Sequence, residues 1–322
     1  MRERQPRAVA ILVIALALAP AVGLVYAGQL AVDFASGVHR SDALAQALSD
    51  SSLPALPRRT SGTDILVMGI DSRLDASGRP VPADAFGALH PSDGDVAGYS
   101  ASVLMLVHFP TDGSRPTVTS IPREATVETA GFSGAGFRAK LKDAYGYGFA
   151  AQRTALTAAG TPYDEASYLA ARDAGRRAEI ATVTKLLGTV RIDHFVEVTM
   201  AAFYQAAQAL TPASRCATRP VVDEAAQQAF ILSVLHEVKQ PASFTNPAAM
   251  KSVLEAAGRN LTVDSGMDLE QVTRDASWLS SGNLTYTTLA SGGPARAANV
   301  TSVTTVGLNI AAATANVLPC AE

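Results

Sequence analysis

Cysteines and charged residues are scarce in this sequence, and several common motifs are absent. The 322 residues include two cysteines, Cys216 and Cys320, which are too few for a disulfide framework, and no CxxC or Cys/His cluster indicates a zinc site. Only 17% of the residues are charged and the net charge is −3, so no basic stripe predicts binding to nucleic acid. The glycines match neither the P-loop nor the dinucleotide fingerprint, and there is no internal repeat. What remains is a chain that is 48% hydrophobic and long enough to bury a sizeable core.

One long hydrophobic run is present, and it lies at the N-terminus. Arg2, Arg4 and Arg7 precede an uncharged stretch over residues 8–27. At about 1.5 Å per residue, a helix over this stretch spans a hydrocarbon core of about 30 Å. Because the arginines lie on one side only, we expect a single-pass anchor in the cell membrane, with a cytoplasmic N-terminus and an extracytoplasmic domain. A cleaved signal peptide is the alternative, since residues 25–27 resemble a cleavage site; in either case the two cysteines lie where one disulfide can form.

Composition divides the chain into three parts. Residues 1–28 are the predicted tail and transmembrane anchor, residues 29–62 a helical stalk and linker, and residues 63–322 the extracytoplasmic domain. The domain begins with the apolar run Ile65–Ile70, which is typical of a strand buried on both faces. Residues 74–99 form a long aperiodic stretch, and a loop of this length favours a flap beside a functional site.

A β-hairpin is predicted over Val103–Glu124. Two apolar, β-branched runs flank an Asp-Gly turn. The second run stops at Pro122, which cannot donate to a strand ladder, and Arg123 and Glu124 follow directly. Charged side chains at the strand ends of an α/β sheet favour a ligand site, and a surface ion pair is the alternative.

Beyond the hairpin, the patterns predict strands alternating with helices. A helix is expected over Asp164–Leu187, with Gly188 as its C-terminal cap. Residues 191–198 alternate between an apolar series (192, 194, 196, 198) and a more polar one, which predicts a strand with one better-buried face. Further helices are expected at 200–210, 223–239, 247–258 and 268–279, and further strands at 284–289 and 300–308. The fold class is therefore α/β, with a central mixed sheet between two helical layers.

Several of these segments resemble, in the same order, the LytR-CpsA-Psr family of membrane-anchored glycopolymer transferases from Gram-positive envelopes. The matching pieces are the N-terminal run, the strand that ends in Ile-Asp-Ser-Arg at residues 70–73, the hairpin that ends in Ile-Pro-Arg-Glu at 121–124, the Lys-Leu-Lys-Asp-Ala-Tyr-Gly-Tyr-Gly segment at 140–148, and the helix and strand that run to residue 198. The match covers most of residues 64–210.

The resemblance implies a definite chemistry. Family members bind a polyprenyl-pyrophosphate-linked glycan at the outer face of the membrane and transfer the glycan, with one phosphate, to a peptidoglycan hydroxyl. The glycan can be wall teichoic acid, capsule or arabinogalactan. Such a transfer needs arginines and a magnesium ion to stabilise negative charge. It also needs an apolar channel for the prenyl tail.

Three residues of this sequence match the reactive centre of the family, and a fourth departs from it. Asp71 is implied to bind the metal, and Arg73 to contact pyrophosphate. Arg123 matches the arginine of the family's Pro-Arg-Asp motif, and Glu124 stands where aspartate is usual. The extra methylene of glutamate moves its oxygens by about a bond length, and small displacements can be costly in catalysis.

The residues implied to bind substrate include both matches and departures. Lys140 and Tyr145 match the lysine and the tyrosine of a later family motif. The family carries Arg-Ser-Asp before the first hairpin strand, where this chain has Ser100, Ala101 and Ser102. The two serine hydroxyls can hydrogen-bond a substrate, but they supply no anionic oxygen for a hard cation.

The altered positions leave two hypotheses. A later part of the family pattern, which bears arginines, is shortened here between Leu210 and Gln227. The chain is therefore either a transferase with a reduced site, in which Arg138 or Lys142 compensates, or a catalytically impaired homologue that binds the lipid-linked glycan or a partner transferase. A transcriptional regulator is disfavoured by the anchor and by the lack of a basic recognition helix.

Overall fold

The apolar and β-branched runs of the sequence form a central sheet. In chain order the strands are β1 (His39–Ser41), β2 (Gly62–Ser72), β3 (Tyr99–Pro110), β4 (Thr117–Ser120), β5 (Thr126–Glu128), β6 (Arg138–Lys140), β7 (His194–Thr199), β8 (Leu261–Asp264) and β9 (Thr285–Thr288). Seven of them form one mixed sheet in the order β1-β8-β7-β2-β3-β4-β9, and β5 pairs with β6 separately. The predicted mixed sheet and the predicted hairpin, which is the antiparallel pair β3–β4, are both confirmed.

The computed structural model describes residues 32–50, 53, 56–57, 61–72, 74–75, 78–80, 96–131, 137–199, 247–268 and 285–289. The N-terminal hydrophobic run, both cysteines and Arg73 lie outside these residues, as does most of the predicted flap. The helices predicted at 200–210 and 223–239, most of that at 268–279, and the strand at 300–308 also lie outside them. Within the described part, no helix is both long enough and apolar enough to cross a bilayer.

The helices are α1 (Ala43–Leu48), α2 (Ala144–Ala158), α3 (Glu165–Leu187) and α4 (Pro247–Arg259), and a 3-10 turn at Leu141–Asp143 leads into α2. The bounds of α3 agree with the prediction, because its caps are local signals. Ser167 N donates to the Asp164 side chain at 2.8 Å, and Asp164 N donates to the Ser167 hydroxyl at 3.0 Å, which forms a capping box. Gly188 ends the helix with a left-handed φ of 64°.

Helices α1, α2 and α3 pack on one face of the sheet. Leu66, Met68 and Ile70 of β2 point into this core, where they join apolar residues from all three helices. A smaller cluster around Ile65, Val263 and Met267 lies on the opposite face. The alternation of β2 thus separates two apolar faces, as expected for a strand buried on both sides.

Strand β7 buries the opposite face from the one that its apolar series indicates. Phe195, Glu197 and Thr199 are fully buried, whereas His194, Val196 and Val198 are only half-buried. The reason is that Glu197 is neutralised by arginines from α3, so a carboxylate lies in the core without an unpaired charge.

The segment expected to be a stalk belongs in part to the domain. Strand β1 pairs in parallel with β8, so that His39 lies opposite Thr262 at the edge of the sheet. Ala43, Leu44 and Ala47 of α1 are buried in the main core. The domain therefore begins before residue 63, and residues 39–48 are not a spacer.

Candidate functional site

The candidate site lies where the carboxyl ends of β2 and β4 meet. Both strands are antiparallel to β3, so they run parallel to each other. Their carboxyl ends therefore lie at the same end of the sheet, which is called the site edge below. Asp71 is the penultimate residue of β2, and Arg123 and Glu124 follow β4 after Ile121 and Pro122. The start of β3, which carries Ser100 and Ser102, lies between them. Three separate stretches of sequence thus meet at the edge where open α/β sheets bind ligands.

A β-bulge at Ser102 shapes this edge. Gly69 lies opposite Val103 and Ile70 lies opposite Ala101, so Ser102 is an extra residue in β3 without a partner on β2. The bulge lets the buried Ser102 hydroxyl donate a short hydrogen bond to Asp71 Oδ2. It also turns the Ser102 carbonyl towards Arg123, whose Nη1 donates to it at 3.3 Å.

A tight turn holds Arg123 in place. Ala125 N donates to the Pro122 carbonyl at 3.1 Å, so Arg123 and Glu124 are the two central residues of a β-turn. The Arg123 carbonyl accepts a hydrogen bond from Lys142 N, and the Ala125 carbonyl accepts one from Leu141 N, both at 2.9 Å. The turn is therefore fixed to the 3-10 turn that begins at Leu141, which brings Lys142 to the same site.

Glu124 is surrounded by three cationic groups. Its Oε2 lies 2.8 Å from Lys140 Nζ, and its Oε1 lies 3.0 Å from Lys142 Nζ and 3.9 Å from Arg123 Nε. Partial burial raises the pKa of this carboxyl, but the hydrogen bonds from Lys140 and Lys142 outweigh it and hold the pKa below its ordinary value. Glu124 is thus a charged group near neutral pH and a poor proton acceptor.

The predicted site residues divide into three groups. Asp71, Ser102, Arg123, Glu124 and Lys140 come together through the contacts described above, and Ser100 lies directly opposite Asp71 on β3. Tyr145 is the second case: its side chain is fully buried in the core and stacks on Tyr99, the first residue of β3. Arg73 is the third case, since it lies outside the described residues.

Tyr145 belongs to a buried network that the sequence analysis above did not identify. Arg172 of α3 donates from Nε to the Tyr145 hydroxyl at 2.7 Å and from Nη1 to the Tyr168 hydroxyl at 2.9 Å. Arg172 and Arg176 both pair with Glu197 of β7. Burial raises the pKa of Glu197, but the two arginines outweigh it and hold the pKa well below the ordinary value.

A sequence signal for this network does exist. Tyr168, Arg172, Arg176 and Glu179 recur at spacings of four, four and three residues, which places them on one face of α3. Such a polar series on a helix face whose other residues are mostly small, such as Ala171, Gly175 and Ala178, indicates a buried polar cluster. The partner, Glu197, cannot be found in this way because it lies on a different element.

Glu179 links the buried network to the 3-10 turn. Its Oε2 accepts a hydrogen bond from Tyr145 N at 2.9 Å, in the first turn of α2. Burial is the largest cause, and the neighbouring Asp143 a smaller one, of a pKa raised to about 8. Glu179 is therefore mainly neutral at pH 7, and it lies beneath the turn that carries Lys142.

The glycines of the 140–148 segment serve close packing rather than phosphate binding. Gly146 and Gly148 lie inside α2. A Cβ on Gly146 would lie 2.3 Å from the Val96 carbonyl, and one on Gly148 would lie 2.5 Å from the Ala174 carbonyl. These contacts let α2 approach both the start of β3 and helix α3.

A magnesium ion has limited support from the side chains at this edge. In the described ranges, no group of three or more His, Cys, Asp or Glu side chains can hold a metal ion. Asp71 is one suitable carboxylate, and the hydroxyl of Ser102 already donates to it. Because Mg²⁺ is commonly held by one or two carboxylates together with substrate phosphates, Asp71 fits a metal that arrives with a phosphorylated ligand.

The fold defines an α/β protein in which the guanidinium of Arg123, the ammonium groups of Lys140 and Lys142, and the carboxylates of Asp71 and Glu124 lie at one end of the sheet. The chain belongs to the LytR_cpsA_psr family, whose family model matches residues 32–225. It is 25% identical over 263 residues to the "Cell wall biosynthesis protein LcpA" of Corynebacterium glutamicum, a match that covers 70% of this chain and 49% of the relative. The chain thus spans about half the length of that relative.

Two solved structures resemble the chain more distantly. The "LytR-Csp2A-Psr enzyme from Actinomyces oris" is 16% identical with a TM-score of 0.43, over 88% of this chain and 97% of that one. TagV of Bacillus subtilis is 13% identical with a TM-score of 0.41, over 81% of this chain and 97% of that one.

Proposed function

We propose that this protein acts in cell-envelope biogenesis by transferring a glycopolymer, with one phosphate, from a polyprenyl-pyrophosphate carrier to a peptidoglycan hydroxyl. Three observations support the proposal. The chain belongs to the LytR_cpsA_psr family, a relative carries the name of a cell wall biosynthesis protein, and cationic side chains meet at one edge of the sheet. Wall teichoic acid, capsule and arabinogalactan are all compatible with these observations.

The observation that carries the proposal is the position of Arg123. Its guanidinium donates to the Ser102 carbonyl and is therefore held beside Asp71 rather than free on the surface. A fixed guanidinium stabilises the negative charge that develops when a phosphoanhydride bond breaks, and it does so without reorganisation during the reaction. Lys140 and Lys142 add positive charge at the same point.

In the proposed step, the peptidoglycan hydroxyl oxygen bonds to the phosphorus that carries the glycan. The bond from that phosphorus to the bridging oxygen breaks, and polyprenyl phosphate leaves with the electron pair. The hydroxyl proton passes to solvent or to a carboxylate. Because Lys140 and Lys142 lower the pKa of Glu124, although burial opposes them, Glu124 is a poor base for this step and serves as the counter-ion of the two lysines. A magnesium ion held by Asp71 and the substrate phosphates would supply further charge neutralisation.

A second candidate is a homologue that binds the lipid-linked glycan, or a partner transferase, without turnover. The hydroxyl of Ser102 favours this reading, because it donates to Asp71 where the family resemblance implies a second metal-binding aspartate. With a hydroxyl in place of a carboxylate, the edge holds a divalent cation less tightly.

The test is turnover of a polyprenyl-pyrophosphate-linked glycan with peptidoglycan fragments, using the full chain in detergent with and without magnesium. Arg123→Ala should lower the rate at least about 100-fold, the usual cost of removing one charge-stabilising donor. Arg115→Ala is the matched control, because Arg115 is an exposed arginine at the other end of the same hairpin. Binding of the lipid without turnover would favour the second candidate, and neither binding nor turnover would overturn both.

We also propose that residues 8–27 anchor the protein in the cell membrane with the domain on the outer face. The arginines before that run and the membrane location of a polyprenyl carrier support this arrangement. Protease treatment of intact spheroplasts should remove the domain and leave a short membrane-bound N-terminal peptide. Protection of the domain until the membrane is lysed would contradict the proposed orientation.

A further inference from the structure

Glu124 is bound by the lysines and the arginine beside it in the way that those side chains would bind a phosphate. Both of its carboxylate oxygens are used: Oε2 contacts Lys140, and Oε1 contacts Lys142 and, more distantly, Arg123. Three positively charged groups from three elements therefore converge on one small anion. Carboxylate and phosphate oxygens accept the same charge-assisted hydrogen bonds.

We propose that Glu124 is a resident counter-ion in a phosphate subsite formed by Arg123, Lys140 and Lys142, and that a pyrophosphate group displaces it on binding. The inference rests on the proposed function for the identity of the ligand. It adds Lys142 to the residues that contact the ligand, and it assigns Glu124 the opposite effect, because the Glu124 carboxylate competes with the ligand for the same cations.

The two lysines differ in how firmly they are held. The Lys142 backbone N–H donates to the Arg123 carbonyl, and only 16% of the Lys142 side chain is exposed. The Lys140 side chain, at the end of β6, is 53% exposed. Lys142 and Arg123 thus form a fixed base of the subsite, and Lys140 can close over a ligand from the solvent side.

Displacement of Glu124 is energetically reasonable. The Glu124 side chain is 51% exposed, and ion pairs between exposed side chains contribute little to stability. Burial raises the pKa of Glu124, but the two lysines outweigh it and keep the pKa below its ordinary value. Glu124 therefore stays charged near neutral pH, and only a competing anion can displace it from the subsite. A pyrophosphate group carries more negative charge and more acceptor oxygens than one carboxylate, so it can replace Glu124 by rotation of that side chain.

The experiment measures binding of inorganic pyrophosphate, and separately of polyprenyl pyrophosphate, to the full chain in detergent with EDTA present. Glu124→Gln should bind inorganic pyrophosphate about fivefold more tightly than wild type, which is the effect of one unit charge about 4 Å away in water. Lys142→Gln, added to Glu124→Gln, should abolish that gain.

Glu128→Gln is the matched control. Glu128 is also a half-exposed glutamate on a short strand, and it contacts Lys185 at 2.7 Å. The Glu128→Gln variant carries the same charge change as Glu124→Gln, but outside the subsite. The affinity of this variant for pyrophosphate should therefore stay within about twofold of wild type.

Each outcome decides the inference. A gain for Glu124→Gln alone supports it, whereas no gain, an equal gain for Glu128→Gln, weaker binding, or no binding by any variant overturns it. The two ligands separate this inference from the proposed function. If Glu124→Gln gains affinity for inorganic pyrophosphate but no variant binds the polyprenyl form, the subsite stands and the proposed function fails. If wild type transfers the glycan but Glu124→Gln gains nothing, the function stands and the subsite fails.

Discussion

Ser102 illustrates how a single residue changes what a strand end presents. As the extra residue of a bulge, it offers its hydroxyl to Asp71 and its carbonyl to Arg123. Only its side chain differs from the aspartate that the family resemblance implies, so the carbonyl contact does not depend on residue type. Arg123 can therefore keep its position whichever side chain residue 102 carries.

The first prediction follows from this difference. Ser102→Asp would bring a second carboxylate against Asp71 at a position that is 1% exposed, and two buried like charges repel. Without divalent cations we expect a loss of about 2–4 kcal/mol in the free energy of unfolding. Magnesium should restore most of it, because two carboxylates then share one cation.

Thermal unfolding in EDTA and in magnesium measures this effect. Ser102→Asn, which is similar in size but neutral, should show no response to magnesium beyond that of wild type. A Ser102→Asp variant that is insensitive to magnesium would contradict the view that this edge is a metal site weakened by one residue.

The second prediction concerns Glu179. Burial raises its pKa to about 8 from an ordinary value of 4.5, so the folded state retains the proton over a range where the unfolded chain has released it. Its contribution to stability is complete below the unfolded pKa and is lost as the pH rises through the folded pKa. Glu179→Gln stays neutral and should remove this loss.

Urea unfolding from about pH 5 to about pH 9 measures this pH dependence of the free energy of unfolding. Over that range the stability of Glu179→Gln should rise relative to wild type by up to about 4 kcal/mol, at about 1.4 kcal/mol per pKa unit. The exposed control Glu128→Gln should follow the wild-type profile. Parallel profiles for Glu179→Gln and wild type would show that Glu179 is ionised throughout.

At the scale of elements, the packing of α2 on α3 depends on small residues. A Cβ on Gly148 would lie 2.5 Å from the Ala174 carbonyl and 2.6 Å from the Ala178 Cβ. Gly148→Ala gains about 1 kcal/mol of helix propensity, but overpacking costs about 1–3 kcal/mol. We expect a net loss of up to about 2 kcal/mol in the free energy of unfolding.

Chemical unfolding of Gly148→Ala tests this third prediction. Ala155→Gly, at an exposed position of the same helix, should cost about 1 kcal/mol through propensity alone. If Gly148→Ala were more stable than wild type, the helices would have room to separate, and Gly148 would not be required by their close approach.

Elements with local signals could be predicted from the sequence, and those defined by distant partners could not. The α3 helix carries its own caps at Asp164 and Gly188, and the hairpin carries its own turn. Strand β1 has three residues and no pattern of its own; it forms because β8, more than 200 residues later, lies beside it. Likewise, the bulge at Ser102 depends on the register between two strands, which single-strand patterns do not contain.

The same reasoning explains the candidate site. Arg123 and Asp71 could be found because each follows an apolar strand, and sheet topology brings such ends together. Lys142 was recognised only as a possible substitute, since the backbone bond that brings it to Arg123 joins a turn to a 3-10 turn. Arg172 and Glu197 pair across a helix and a strand, so neither pattern alone indicates the pair.

At the scale of the whole molecule, the N-terminal segment is part of the folding unit. A fragment that begins at residue 61 lacks β1 and α1, whose Ala43, Leu44 and Ala47 are buried in the main core. The missing apolar contacts are worth roughly 3–5 kcal/mol. We therefore expect this fragment to be markedly less stable than one that begins at residue 32.

Thermal unfolding of the two fragments measures this fourth prediction. A peptide of residues 32–50, added to the shorter fragment, should raise its melting temperature in a concentration-dependent way, and a peptide with Leu44→Asp should not. Equal melting temperatures for the two fragments would contradict the assignment of β1 and α1 to the core.

The early start of the domain also limits how far the domain could lie from a membrane to which its N-terminus was anchored. If residues 8–27 are the anchor proposed above, the segment from residue 27 to the sheet at His39 spans at most roughly 30 Å, because residues 32–37 within it are helical. A site held that close to the bilayer by such an anchor would meet membrane-borne lipids at a high effective concentration, while soluble glycans would gain nothing from it. The short tether would thus favour substrates by where they reside as well as by what they are.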